Sequence, residues 1–226
     1  MLQAEQAGTR DGVIALEELC RTYWYPIYCF ARRRGAARED AEDLTQGFFA
    51  DLLGRGAIAR ADATRGRFRT FLLSSFCHYW SHERARAGAI KRGGGRIIVS
   101  LQALQAADEL ILAEPANEET AVILFDRTWA LRLIGRATAA VEVEYATIGK
   151  SALVRALSPM IRGEEIGESY ALRAAQLGMS AGALKVAAFR LRRRLGQAIR
   201  AEIARTVGRP EDIEEELRHL LAAVQA

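Results

Sequence analysis

Nearly every stretch of this chain repeats its apolar residues at the spacing of an amphipathic helix, and a single run of three glycines breaks that pattern. Over residues 12–34, Val13, Leu16, Leu19, Tyr23 and Ile27 recur on one face. Pro26 is expected to kink or interrupt that helix, and Gly35 suits its end. A second helix should start near Arg38, carry Ala41, Leu44, Phe48, Phe49, Leu52 and Leu53, and stop at Gly54. A third, over residues 68–87, carries Phe68, Phe71, Leu72, Phe76, Tyr79 and Trp80. Then comes KRGGGR, a run that no helix tolerates. The helical period resumes at Glu118, with further helices expected over 150–160, 170–177, 181–207 and 210–224. Strand alternation is nearly absent. The expectation is an all-α fold of two small helical domains, residues 11–92 and 118–226. Residues 93–117 form a glycine-rich linker with at most one short helix near 101–112.

Composition sharpens this picture. Half of the 226 residues are hydrophobic, which is ample for two cores. The net charge is only +4, but its placement is uneven. Residues 185–205 hold seven basic side chains against Glu202 alone, and residues 60–96 hold nine against Asp62 and Glu83. Residues 38–51 hold five acids and one arginine. Two basic segments separated by neutral sequence point to a polyanion touched at two places. Cys20, Cys29 and Cys77 lack metal or redox spacing and suit a reduced, cytoplasmic protein. No apolar run has the length of a signal peptide or a membrane span, so a membrane partner is not expected.

Signals for chemistry are weak. Gly149-Lys150-Ser151 ends like a phosphate-binding loop, but Glu144 stands where that loop needs its first glycine. His78 and His82 are four residues apart on a helix, yet no third ligand has suitable spacing. With three histidines and no nucleophile arrangement in view, neither an enzyme nor a metal or cofactor protein is expected.

The stretch LGMSAGALKVAAFRLRRRL, residues 177–195, reads differently. Ala171, Ala174, Ala175 and Leu177 give a small apolar face to a first helix, Gly178 makes a turn, and Ser180 stands at an N-cap. In the second helix Leu184, Ala188, Leu191 and Leu195 form the core stripe. Gly182, Lys185, Val186, Phe189 and Arg193 point the other way, flanked by Arg190, Arg192 and Arg194. Such a face suits a DNA groove, with Gly182 allowing close approach, Lys185 reaching a guanine or phosphate, and Val186 or Phe189 touching a thymine methyl. The competing readings are a basic helix for RNA or membrane phosphate, or a Phe189 packed elsewhere. The segment over residues 63–96 interleaves Phe68, Phe71, Phe76, Tyr79 and Trp80 with Arg67, Arg69, Arg84, Arg86, Lys91 and Arg92, a composition that serves single strands. Most of these aromatics must be core. His78, Tyr79 and His82 are the candidates for free contacts, with Ser74 and Ser75 as small polar neighbours.

Over residues 11–207 the chain resembles the extracytoplasmic-function sigma factors of bacterial RNA polymerase. The resemblance rests on REDAEDLTQGFF from Arg38, on RGRFRTFLLSSFCHYWSHERAR, and on LGMSAGALKVAAFRLRRRL. It implies that Glu39, Asp40, Glu42, Asp43 and Gln46 dock on the polymerase clamp. It implies −10 contacts from Arg67, Arg69, Ser74, Ser75, His78, Tyr79, His82 and Arg84. It also implies −35 contacts from Ser180, Gly182, Lys185, Val186, Phe189, Arg190 and Arg193. Phe71 stands where the family usually has tryptophan, His78 where it has asparagine, and Val186-Ala187 where it often has serine and arginine. The implied partners are core RNA polymerase (clamp and flap), promoter DNA, and an anti-sigma factor or another regulator. The implied function is promoter-specific initiation of transcription, without catalysis or cofactor. The alternative is a polymerase-independent helix-turn-helix regulator. An RNA-binding adaptor or anti-regulator is a third, more remote reading. For the acidic segment 211–216, the expectation is a solvated helix start, against a cover folded onto the arginine-rich helix.

Overall fold

The structure, a computed structural model, describes residues 10–54, 67–87, 118–161 and 170–225, with side chains of the first helix described from Cys20 onward. Its elements are α1 (Arg10–Arg33), α2 (Arg38–Gly54), α3 (Phe68–Ala87), α4 (Glu118–Thr147), α5 (Ser151–Ile161), α6 (Tyr170–Gln176), α7 (Ala181–Ala204) and α8 (Ile213–Gln225). A 3₁₀ turn at Pro210–Asp212 leads into α8. The described residues are all-α, as the apolar periodicity requires. The linker 93–117 lies outside them, as does the short helix expected near 101–112.

Helix α1 is not interrupted at Pro26; it runs through it, and Pro26 is buried. Burial of Tyr23, Ile27, Tyr28 and Phe30 on the same helix outweighs the hydrogen bond that a proline removes. Helix α1 ends at Gly35, whose φ of 92° belongs to the left-handed region. The N–H groups of Gly35 and Ala36 return to the carbonyls of Arg32 and Ala31, the paired bonds of a Schellman cap. The same pair of bonds closes α4 at Gly149-Lys150. The Gly-Lys-Ser run is therefore a helix-to-helix turn, with Ser151 opening α5.

The chain divides into two compact units, Met1–Arg132 with Ala204–Ala226, and Leu133–Ile203. The division falls within α4, whose 30 residues span roughly 45 Å, longer than a small helical domain needs. The span 118–226, expected as one domain, is shared between the units, and α8 belongs to the first. In that unit the core holds Tyr23, Ile27, Tyr28, Phe30, Phe48, Phe49, Phe68, Leu72, Phe76, Phe125, Trp129 and Leu220. Edge-to-face pairs at 5.3 to 6.0 Å link Phe30, Phe48 and Phe76 across α1, α2 and α3.

The second unit is built on Ala137, Val141, Val154, Leu157, Ala174, Leu184, Ala188, Leu191 and Ala198, with Leu177 and Leu195 packed at its margin. The predicted core stripe of α7 is thus the observed one. Among the described side chains of α6 only Ala174 is buried, whereas Ala171 and Ala175 are exposed, because a seven-residue helix turns little of its surface inward.

Candidate nucleic-acid interface

In the second unit, α6 and α7 form a helix-turn-helix. Gly178 takes a φ of 64°, where a side chain would strain the backbone, and its N–H and that of Met179 return to Ala175 and Ala174. Ser180 then caps α7: its Oγ accepts the N–H of Ala183 at 3.1 Å. Its hydroxyl is engaged by the backbone, so Ser180 places the helix first. Arg173 fixes α6 to α5 by donating to the Ala156 carbonyl at 2.7 Å. Arg136 and Glu202 pair at 3.0 Å and tie α7 to α4.

Opposite the core stripe, Gly182, Lys185, Val186, Phe189, Arg190 and Arg193 are all exposed, at positions that share one side of α7. Phe189 is 66% exposed and Val186 51%. A large aromatic held in the open beside three cations is not how an isolated surface helix is usually composed. Arg194, expected to flank this face, instead forks onto Glu144 with contacts of 2.8 and 2.9 Å. That hydrogen bond pulls the Glu144 carboxyl below the ordinary range and raises the Arg194 guanidinium.

In the first unit, α3 divides its candidates. Ser74, His78 and His82 are exposed and follow one another at intervals of four, so they share a face. Arg84 is exposed too, its guanidinium 5.9 Å from the centre of the Trp80 ring. Ser75 and Tyr79 are half-buried. Tyr79 leans onto α2, its ring 5.8 Å from Phe48 and its hydroxyl where a Cβ on Gly47 would stand. Burial, then the charges of Glu83 and Asp51, push its phenol up. Tyr79 is thus committed to the α2–α3 contact and does not stand free as a stacking platform.

Arg69 requires a correction. It is 6% exposed, and two carboxylates hold it: Glu216 at 2.7 Å and Asp126 at 2.7 Å. The Trp129 ring lies 5.4 Å beneath its guanidinium. A cation so enclosed is structural and cannot reach DNA in this conformation. Arg67, half-buried at the start of α3, pairs with both Glu215 and Glu216. Asp126 also meets His219 at 3.0 Å. This cluster of Arg67, Arg69, Asp126, Glu215, Glu216 and His219 escaped sequence reasoning. Its signal was present: Glu216 sits on the apolar stripe of α8, between Ile213 and Leu220, where a carboxylate needs a buried partner. The acidic segment is therefore more than a solvated helix start: Glu215 and Glu216 pair with Arg67 and Arg69 at the head of α3, while Glu211 and Asp212 pair with Arg209.

Helix α2 carries the other candidate surface. Ala41, Thr45, Phe48, Phe49 and Leu52 are buried, which leaves Glu39, Asp40 and Asp43 exposed on the far side. Gln46 is half-buried, and Glu42 is engaged by Arg38 at 3.1 Å. Among the described residues no helix is long and apolar enough to cross a membrane. Comparison with protein-family models, curated proteins and solved structures gives no match.

Proposed function

We propose that this chain is a promoter-specificity factor of the extracytoplasmic-function sigma type, acting in the cytoplasm with core RNA polymerase. The observation that carries the reading is the outer face of α7, where Lys185, Val186, Phe189, Arg190 and Arg193 stand exposed on a capped recognition helix. On this reading Lys185 and the two apolar side chains read base edges in −35 duplex, and Arg190 and Arg193 hold phosphates. Ser74, His78 and His82 on α3 serve the −10 strand, where an extruded base costs a few kcal/mol that contacts must offset. The acidic side of α2 docks on the polymerase clamp. That surface favours the sigma reading over a stand-alone helix-turn-helix regulator, which has no use for it. Catalysis and cofactors have no part in this account. The test is selection of bound duplexes from a random pool by the full chain with core polymerase. One enriched bipartite motif is expected; a single palindrome selected without polymerase favours the stand-alone regulator.

A further inference from the structure

The acidic edge of α8 meets the start of α3 in a graded way. At its inner end Glu216, 2% exposed, holds Arg69 against Asp126. At its outer end Glu215, with a side chain 59% exposed, pairs with the Nη2 of Arg67, itself 31% exposed, while the Nε of Arg67 rests on Glu216 at 3.0 Å. Leu220 and Ala223 anchor the helix behind these acids. Arg67 also opens α3: its carbonyl accepts the N–H groups of Thr70 and Phe71, at 3.1 and 3.2 Å. The guanidinium held by Glu215 therefore stands at the head of the helix that carries Ser74, His78 and His82.

A guanidinium fork binds carboxylate and phosphate with the same geometry. The buried pairs have no route to exchange without unfolding, whereas an exposed pair is weak and solvent-accessible. We propose that α8 is a built-in competitor of nucleic-acid phosphate: Glu215 occupies the outer Nη2 edge of Arg67 until a backbone phosphate of single-stranded DNA displaces it, while Glu216 keeps the Nε edge in place. The Glu216–Arg69–Asp126 cluster keeps α8 seated throughout. This rests on the reading of α3 as a DNA-facing helix. It makes Arg67 a conditional contact, and it gives the acidic α8 a task that the proposed promoter reading leaves open.

The experiment measures binding of the full chain to a labelled single-stranded oligonucleotide of mixed sequence, at low ionic strength where phosphate contacts are strongest. Four variants are compared with the parent: Glu215→Gln, Arg67→Ala, both together, and Glu211→Gln. The last removes one negative charge from an exposed residue whose ion-pair partner is Arg209. Glu215→Gln should tighten binding about 3-fold more than Glu211→Gln does, and Arg67→Ala should abolish that gain. Equal tightening by the two glutamine variants means that net charge alone acts, and the competitor is refuted. Weakening by Arg67→Ala with no effect of Glu215→Gln makes Arg67 an ungated contact, which also refutes it while the DNA reading of α3 stands. If no variant binds the oligonucleotide, the DNA reading of α3 falls and the competitor with it.

Discussion

Glu216 holds Arg69 across 147 residues of chain, with an Nε–Oε1 distance of 2.7 Å and both side chains almost wholly out of water. Asp126 supplies the second carboxylate on the same guanidinium. The last helix of the chain is thereby bound into a unit whose other helices come from the first 132 residues. Removing Glu216 leaves the Nε and Nη2 of this buried guanidinium without their acceptor, with Asp126 alone on Nη1. Glu216→Ala should therefore cost about 3–5 kcal/mol of unfolding free energy. Glu215→Ala should cost no more than about 1 kcal/mol. Urea denaturation followed by circular dichroism separates the two; similar losses would mean that the cluster is not graded.

Gly178→Ala puts a side chain at a φ of 64°. The expected cost is about 1–2 kcal/mol. Because the turn orients α7, duplex affinity should fall along with stability. Thermal melts and anisotropy on the same preparation check this. An alanine variant as stable as the parent would contradict the turn geometry.

Two tyrosines should ionise late. Burial raises the phenols of Tyr23 and Tyr79 above the ordinary value near 10. In the unfolded chain both ionise at that value, so the folded state keeps protons that the unfolded state loses. Stability owed to these groups is full below pH 10 and declines above it, until the folded phenols ionise in turn. Absorbance titration at alkaline pH should show a late fraction that shrinks in Tyr79→Phe. If the titration is unchanged in that variant, Tyr79 is not the half-buried contact described.

The outer face of α7 separates grip from reading. Arg193→Ala should weaken duplex binding at all sequences and lower the salt slope by about 1. Lys185→Ala should instead alter which duplexes are preferred, by about 1–3 kcal/mol at the contacted base pair. Phe189→Ser should leave the melting temperature nearly unchanged, since the ring is 66% exposed, and reduce discrimination. Duplex selection with each variant tests the division. Uniform scaling of affinity by all three would show that the face has no reading positions.

Helix positions were legible because burial follows the 3.6 period closely. The α7 stripe of Leu184, Ala188 and Leu191 was recoverable from spacing alone, as were the glycine-closed ends at Gly35 and Gly178. Spacing could not tell that Arg69 is buried, because an arginine between phenylalanines looks like a cation beside stacking rings. Its fate is decided by Glu216 and Asp126, both distant in sequence. Arg194 was read as a flank of the outward face for the same reason, its partner Glu144 lying 50 residues away. Tyr79 shows the converse: aromatic periodicity put it on the helix stripe, but only the space above Gly47 shows which neighbour it takes.

The most direct test of the promoter reading is transcription in vitro. Purified core RNA polymerase, the chain, and a template library from the source genome are combined, and new 5′ ends are mapped. The account predicts discrete transcripts that require the chain, share a bipartite upstream motif, and disappear when Glu39, Asp40 and Asp43 are together changed to lysine. The same triple variant should fold normally, since all three side chains are exposed. No chain-dependent transcript, together with failure of the parent protein to co-purify with core polymerase, would contradict it.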